Sequence, residues 1–155
     1  MSGTWDETWS VGVPELDADH RRICVVLDTL SAKYLANADD ISIVDTLAEL
    51  TEVIGEHFSH EEQVMYRMGF SDADQHFKNH FEALRVLSLM LFNYEKNNHA
   101  ITKDALELMG IWMQEHINYF DAHLARAMTS SFHGHRHIPF EEFRASNGDQ
   151  FRALA

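Results

Sequence analysis

Histidines and carboxylates recur in this chain at spacings that suit metal ligation. The stretches are "HFSHEEQVM" (57–65), "HFKNH" (76–80) and "HINYFD" (116–121), with His20 ahead of them. Imidazole and carboxylate donors without thiolate suit iron, manganese or copper. Such ligands work only if separate segments of chain carry them to one place, so the elements that position them come next.

Four segments show helical periodicity, and strand signals are nearly absent. The first runs from about Asp17 to Ala36, behind Pro14 and an aspartate as cap. The second runs from about Asp40 to Met68, with Ser42 and Asp45 spaced as a capping box and Gly69 past its end. The third begins near Ser71, a good N-cap, and continues to about Lys96, where "NNHA" breaks it. The fourth runs from about Thr102 to Met128. Each is roughly 20–29 residues, about 30–43 Å long. Long helices with short links predict an all-α, up-down-up-down four-helix bundle.

Residues 1–128 are expected to form this domain with an N-terminal arm, whose Trp5 and Trp9 pack on the bundle surface. Residues 129–155 form a C-terminal extension, either mobile or carrying a short helix near Pro139–Arg144. Its Phe140, Phe143 and Phe151 are available for docking, and His133, His135 and His137 alternate in it.

A helix turns about 100° per residue, so each segment can be wheeled. In the second, Ile43, Leu47, Leu50, Ile54, Phe58, Val64, Met65 and Met68 form the apolar stripe. Glu61 falls near its centre and His57 about 40° away, so both point inward. His60 lies on the rim and Glu62 further out. Replacing His60 should therefore leave a metal centre nearly unchanged. A buried carboxylate needs a partner, and no basic residue shares the stripe. His76 and His80 sit in the stripe of the third helix, His20 in the first, His116 in the fourth.

Five imidazoles and a carboxylate exceed one tetrahedral zinc. A carboxylate among them can bridge two ions, with three histidines on one and two on the other. The poorer ion keeps an open position. Its wall of Ile, Phe, Trp and Met suits a small neutral ligand such as dioxygen.

Composition narrows the classes. A formal charge of −13 disfavours nucleic acid and anionic lipid as partners. No apolar run spans a membrane. One cysteine, Cys24, fits a reducing compartment, and with no secretory signal seen at the N-terminus the expected location is the cytoplasm. "HEEQV" lacks the second histidine of a zinc-protease motif, and the Glu-x-x-His pairs of ferritin-like di-iron bundles are missing.

His20, then His-x-x-x-Glu (57–61), His-x-x-x-His (76–80) and His-x-x-x-x-Asp (116–121) resemble the hemerythrin family, in particular its single-domain bacterial members. The flanks "VGVPELDADH", "EEQVMYRMGF" and "WMQEHI" agree, and the resemblance covers roughly residues 5–128. It implies two non-haem iron ions per chain, joined by an oxo or hydroxo group, that bind O₂ reversibly. His76, His80 and His116 would hold one iron, His20 and His57 the other, and Glu61 and Asp121 would bridge both. Ile23, Phe58, Trp112, Met113 and Ile117 would line the O₂ pocket; Met113 stands where the family often has leucine. Asp121 is about 140° from His116 on an ideal helix, and spacing alone favours His123. Asp121 can serve only by approach from the flank or through a helix irregularity.

The expected function is O₂ binding without turnover, as carrier, store or delivery protein, with a reductase or an oxygen-using enzyme as protein partner. The alternatives are an O₂ or redox sensor, a di-iron oxidase or peroxidase on the same scaffold, and iron storage.

Overall fold

A computed structural model of the chain describes residues 5–97 and 101–130. The features expected around Pro139–Arg144, at Phe140, Phe143 and Phe151, and at His133, His135 and His137 lie outside these residues. Helix α1 spans Pro14–Leu35, α2 Asp40–Met68, α3 Ala73–Asn97, α4 Lys103–His116 and α5 Ala122–Ser130. A π turn, Ile117–Asp121, joins α4 and α5 into one rod. The four rods form an up-down-up-down bundle in which α1 packs on α2, α2 on α3, and α1 on α4. No strand occurs among the described residues, and none of their helices is long and apolar enough to cross a membrane.

The termini of the helices follow from local chemistry, and several differ from the periodicity. Helix α1 starts a turn earlier than Asp17, because Pro14 can occupy the first helical turn, where no amide partner is needed. Asp17 is not a cap. It is buried, and its carboxylate accepts from Val11 N–H at 2.8 Å and Ser10 Oγ–H at 2.7 Å, which latches the arm to the helix. Helix α2 is capped by Asp39, which accepts from Ser42 N–H at 2.9 Å, rather than by a Ser42–Asp45 box. At its other end Gly69 takes a left-handed φ of 62°, and Phe70 N–H returns to the Met65 carbonyl. Helix α3 begins two residues after Ser71. Thr102 caps α4, accepting from Ala105 N–H at 3.1 Å.

The core runs along the bundle axis. Ile23, Leu30, Leu47, Leu50, Ile54 and Phe58 are all buried within it. Trp9 joins this core, contrary to the expected surface packing, because a short 3-10 turn at Glu7–Trp9 folds the arm inward. Trp5 stays partly exposed, with the Arg21 guanidinium 4.3 Å over its ring.

Candidate metal centre

At one level of the bundle the apolar core gives way to seven buried polar residues. They are His20 from α1, His57 and Glu61 from α2, His76 and His80 from α3, His116 from α4 and Asp121 from the π turn. None is more than 2% exposed. The i, i+4 spacings His57–Glu61 and His76–His80 stack each pair on the inner face of its helix.

Asp121 reaches the group by a different route. In the widened turn Ala122 N–H bonds to the Ile117 carbonyl, five residues back. Five-residue bonding brings the side chain at i+5 over that at i. Asp121 Oδ1 therefore lies 2.9 Å from His116 Nε2. His123, which ideal spacing favoured, is turned outward and bonds Asp72 at 2.8 Å in solvent.

The donors fall into two groups that share Asp121. Ligand atoms of Glu61, His76, His80, His116 and Asp121 lie within 4.8 Å of one another, and so do those of His20, His57 and Asp121. The two oxygens of Asp121 face opposite ways. Oδ1 is 3.3 Å from His76 Nε2, while Oδ2 is 3.1 Å from His20 Nε2 and 3.4 Å from His57 Nε2. Glu61 Oε2 is 3.2 Å from His80 Nε2, 3.4 Å from His76 Nε2 and 3.5 Å from His57 Nε2.

Most of these atoms are close without being bonded. Nine buried side-chain nitrogens and oxygens among the described residues have no hydrogen-bond partner, and all belong to His57, Glu61, His76, His80, His116 and Asp121. An unmet buried polar atom costs roughly 1–3 kcal/mol. Nine would offset a typical net stability of about 5–15 kcal/mol. The four Nε2 atoms among them, of His57, His76, His80 and His116, gather around the carboxylates of Glu61 and Asp121, as a pair of cations with N and O ligands requires. The donor set fits two such ions.

An outer ring orients three of the five imidazoles. His20 Nδ1 meets the Trp9 carbonyl at 3.2 Å, His80 Nδ1 meets Glu62 at 3.0 Å, and His116 Nδ1 meets Asn79 Oδ1 at 2.7 Å. An acceptor at Nδ1 keeps the proton there and leaves the Nε2 lone pair for a metal. Nothing in the helical periodicity singles out Trp9, Glu62 or Asn79 as acceptors. The only signal was negative: Glu62 wheels outward from the stripe, which is where a partner approaching from α3 meets it.

The buried carboxylates and imidazoles shift one another's protonation. Burial opposes charge on His57, but Glu61 and Asp121 outweigh it and raise its pKa to about 10. His76 is likewise raised to about 9, against burial, by Asp121 and Glu61. Burial would raise Glu61 and Asp121, yet the surrounding imidazoles hold both below the ordinary carboxylate range.

Two of the expected pocket residues, Phe58 and Trp112, lie against histidines of this centre. Ile23, Phe58, Met113 and Ile117 are buried in one cluster, with Trp112 packed against it. Phe58 stacks on His80 at 3.8 Å between ring centroids, and Trp112 on His116 at 5.1 Å. Behind Met113 and Trp112 an apolar cavity of about 440 Å³ opens between α3 and α4.

Residues 11–128 match the family described as "Hemerythrin HHE cation binding domain". A myohemerythrin from Theromyzon tessulatum is 27% identical over 117 residues, 76% of this chain and 86% of its own length. A bacteriohemerythrin from Clostridium acetobutylicum is 23% identical over 118 residues, covering 73% and 91%. A crystal structure of a hemerythrin mutant superposes with a TM-score of 0.76 at 20% identity, over 81% of this chain and 96% of that one, a likeness of fold.

Proposed function

Because the chain belongs to the hemerythrin family, we propose that it binds dioxygen reversibly at a non-haem di-iron centre. The observation that carries this reading is the set of unpartnered buried donors arranged in two groups around one shared carboxylate. His76, His80 and His116 would hold one iron, His20 and His57 the other, and Glu61 and Asp121 would bridge them with an oxo or hydroxo group. When bound, the iron pair supplies the electrons that reversible O₂ binding draws on.

The chain's own residues do the rest. The uneven division, three imidazoles against two, leaves a position beside His20 and His57. Ile23, Phe58, Met113 and Ile117 are apolar and buried. They exclude water and offer no proton donor to drive turnover, which favours binding over oxidase or peroxidase chemistry. The cavity behind Met113 and Trp112 is lined mainly by apolar side chains, an approach suited to a neutral diatomic molecule. A reductase or an oxygen-using enzyme is the expected partner in this reading, and the cytoplasm the expected site of action.

A metal assay with absorption spectra tests it. Two irons per chain are expected, with a coloured form that appears when the reduced protein meets air and bleaches under vacuum. One zinc per chain would defeat the reading, and so would irreversible oxidation on first exposure. More than two irons per chain would indicate storage instead.

A further inference from the structure

His57 and His76 each have a buried Nδ1 with no hydrogen-bond partner, but among the described residues only His57 has a carboxylate within 4 Å of that atom. If His57 holds a metal through Nε2, its Nδ1 carries a proton that needs an acceptor. Nδ1 is buried and has no hydrogen-bond partner. The carboxylate behind it is that of Asp19, on α1, with Oδ2 at 3.8 Å. That is about 1 Å beyond a hydrogen bond. The same oxygen is already bonded at 2.8 Å to Nδ1 of His60, one turn further along α2. Asp19 is mostly enclosed, at 21% side-chain exposure, whereas His60 is open to solvent at 59%. An ion pair between Arg22 and Glu56 forms the next rung along this α1–α2 seam.

We propose that Asp19 and His60 are positioning residues for the two-histidine metal position. His60 holds Asp19 across the seam, and Asp19 fixes the Nδ1–H tautomer and ring orientation of His57. The inference rests on the two-metal reading of the centre. His20, His80 and His116 have acceptors already within hydrogen-bond distance: a backbone carbonyl, a carboxylate and an amide. At His57 the acceptor is shared with a second histidine, and that histidine is exposed. A surface residue thereby acts on a buried ligand of the ion that keeps the open position. His60 is on the rim, where the helical wheel places it, but it is coupled to the centre through Asp19.

The test loads the metal-free full chain with cobalt(II) under nitrogen and follows stoichiometry, affinity and the visible spectrum, with thermal midpoints of the metal-free forms alongside. The wild type should bind two ions. Asp19→Ala and His60→Ala should each weaken one of the two, by about 10–100-fold for Asp19→Ala and by less for His60→Ala. The spectrum of the other ion and the midpoint should stay as they are. His60→Gln keeps an N–H donor toward Asp19 and should restore wild-type affinity. Unchanged affinities in both alanine variants would overturn the proposal while leaving the two-metal reading intact. Equal weakening of both ions together with a lower midpoint would also overturn it, since that is a purely structural effect. Fewer than two ions in the wild type would overturn the two-metal reading and this proposal with it.

Discussion

His116 and Asp121 are five residues apart, yet Nε2 of one and Oδ1 of the other lie 2.9 Å apart across a π turn. A regular α-helix would hold these side chains about 140° apart. The wider turn brings a carboxylate into the centre and sends His123 to the surface. This yields a direct contrast. Asp121→Ala should lower metal content from two ions per chain to one or none, whereas His123→Ala should leave it at two. Elemental analysis of both variants measures this, and loss of metal in His123→Ala would contradict the geometry.

The metal-free protein should have a stability optimum in mildly acidic solution. His57 and His76 are raised from 6.5 to about 10 and about 9. Their contribution is full below about pH 6.5 and is lost as pH rises through 9–10. Glu61 and Asp121 are lowered from 4.5 and 3.8. Theirs is full above those values and is lost as the solution is made more acidic. The metal-free thermal midpoint should therefore peak between about pH 4.5 and 6.5 and fall on either side. A midpoint that climbs steadily from pH 6.5 to 9 would contradict the charge arrangement. Metal uptake should release protons in the same range, because cations displace those held on the imidazoles.

Cys24 should resist thiol reagents in the folded protein. It is 1% exposed. Burial, reinforced by Asp28 and Asp6, pushes its thiol up to about 12, so almost no thiolate exists at neutral pH. Alkylation followed by mass spectrometry should show little modification in native buffer and complete modification in denaturant. Rapid native labelling would mean that α1 opens more readily than its packing implies.

Asp39→Ala should destabilise the protein by about 1 kcal/mol through loss of the α2 cap. Asp45→Ala, at the position that spacing suggested for a capping box, should change stability by less than about 0.5 kcal/mol. Denaturant unfolding of the two variants distinguishes the caps, and equal effects would contradict the observed bond from Ser42 N–H to Asp39.

The four helices and the inward direction of His20, His57, Glu61, His76, His80 and His116 are legible in the chain, because both depend on a local 3.6-residue period that apolar side chains report. A stripe of Leu, Ile and Phe containing a carboxylate and a histidine identifies a buried polar site without any tertiary information. What stands outside the stripe is not legible in this way. Asp19, Glu62 and Asn79 face histidines carried by neighbouring helices, and the register between two helices appears in neither sequence alone. Asp17 and Trp9 show the same limit, since the arm's path depends on the face of α1 against which it folds.

By itself the sequence determines helix number, the composition of the core, and donor types at spacings that place most of them on inner faces. The tertiary structure decides the rest. It brings the donors into two groups around Asp121, selects Asp121 over His123 by widening one turn, and sets acceptors behind His20, His80 and His116. The physical reason is that periodicity is a property of one helix. A metal centre is a property of how four of them pack, and of the local distortion that packing stabilises.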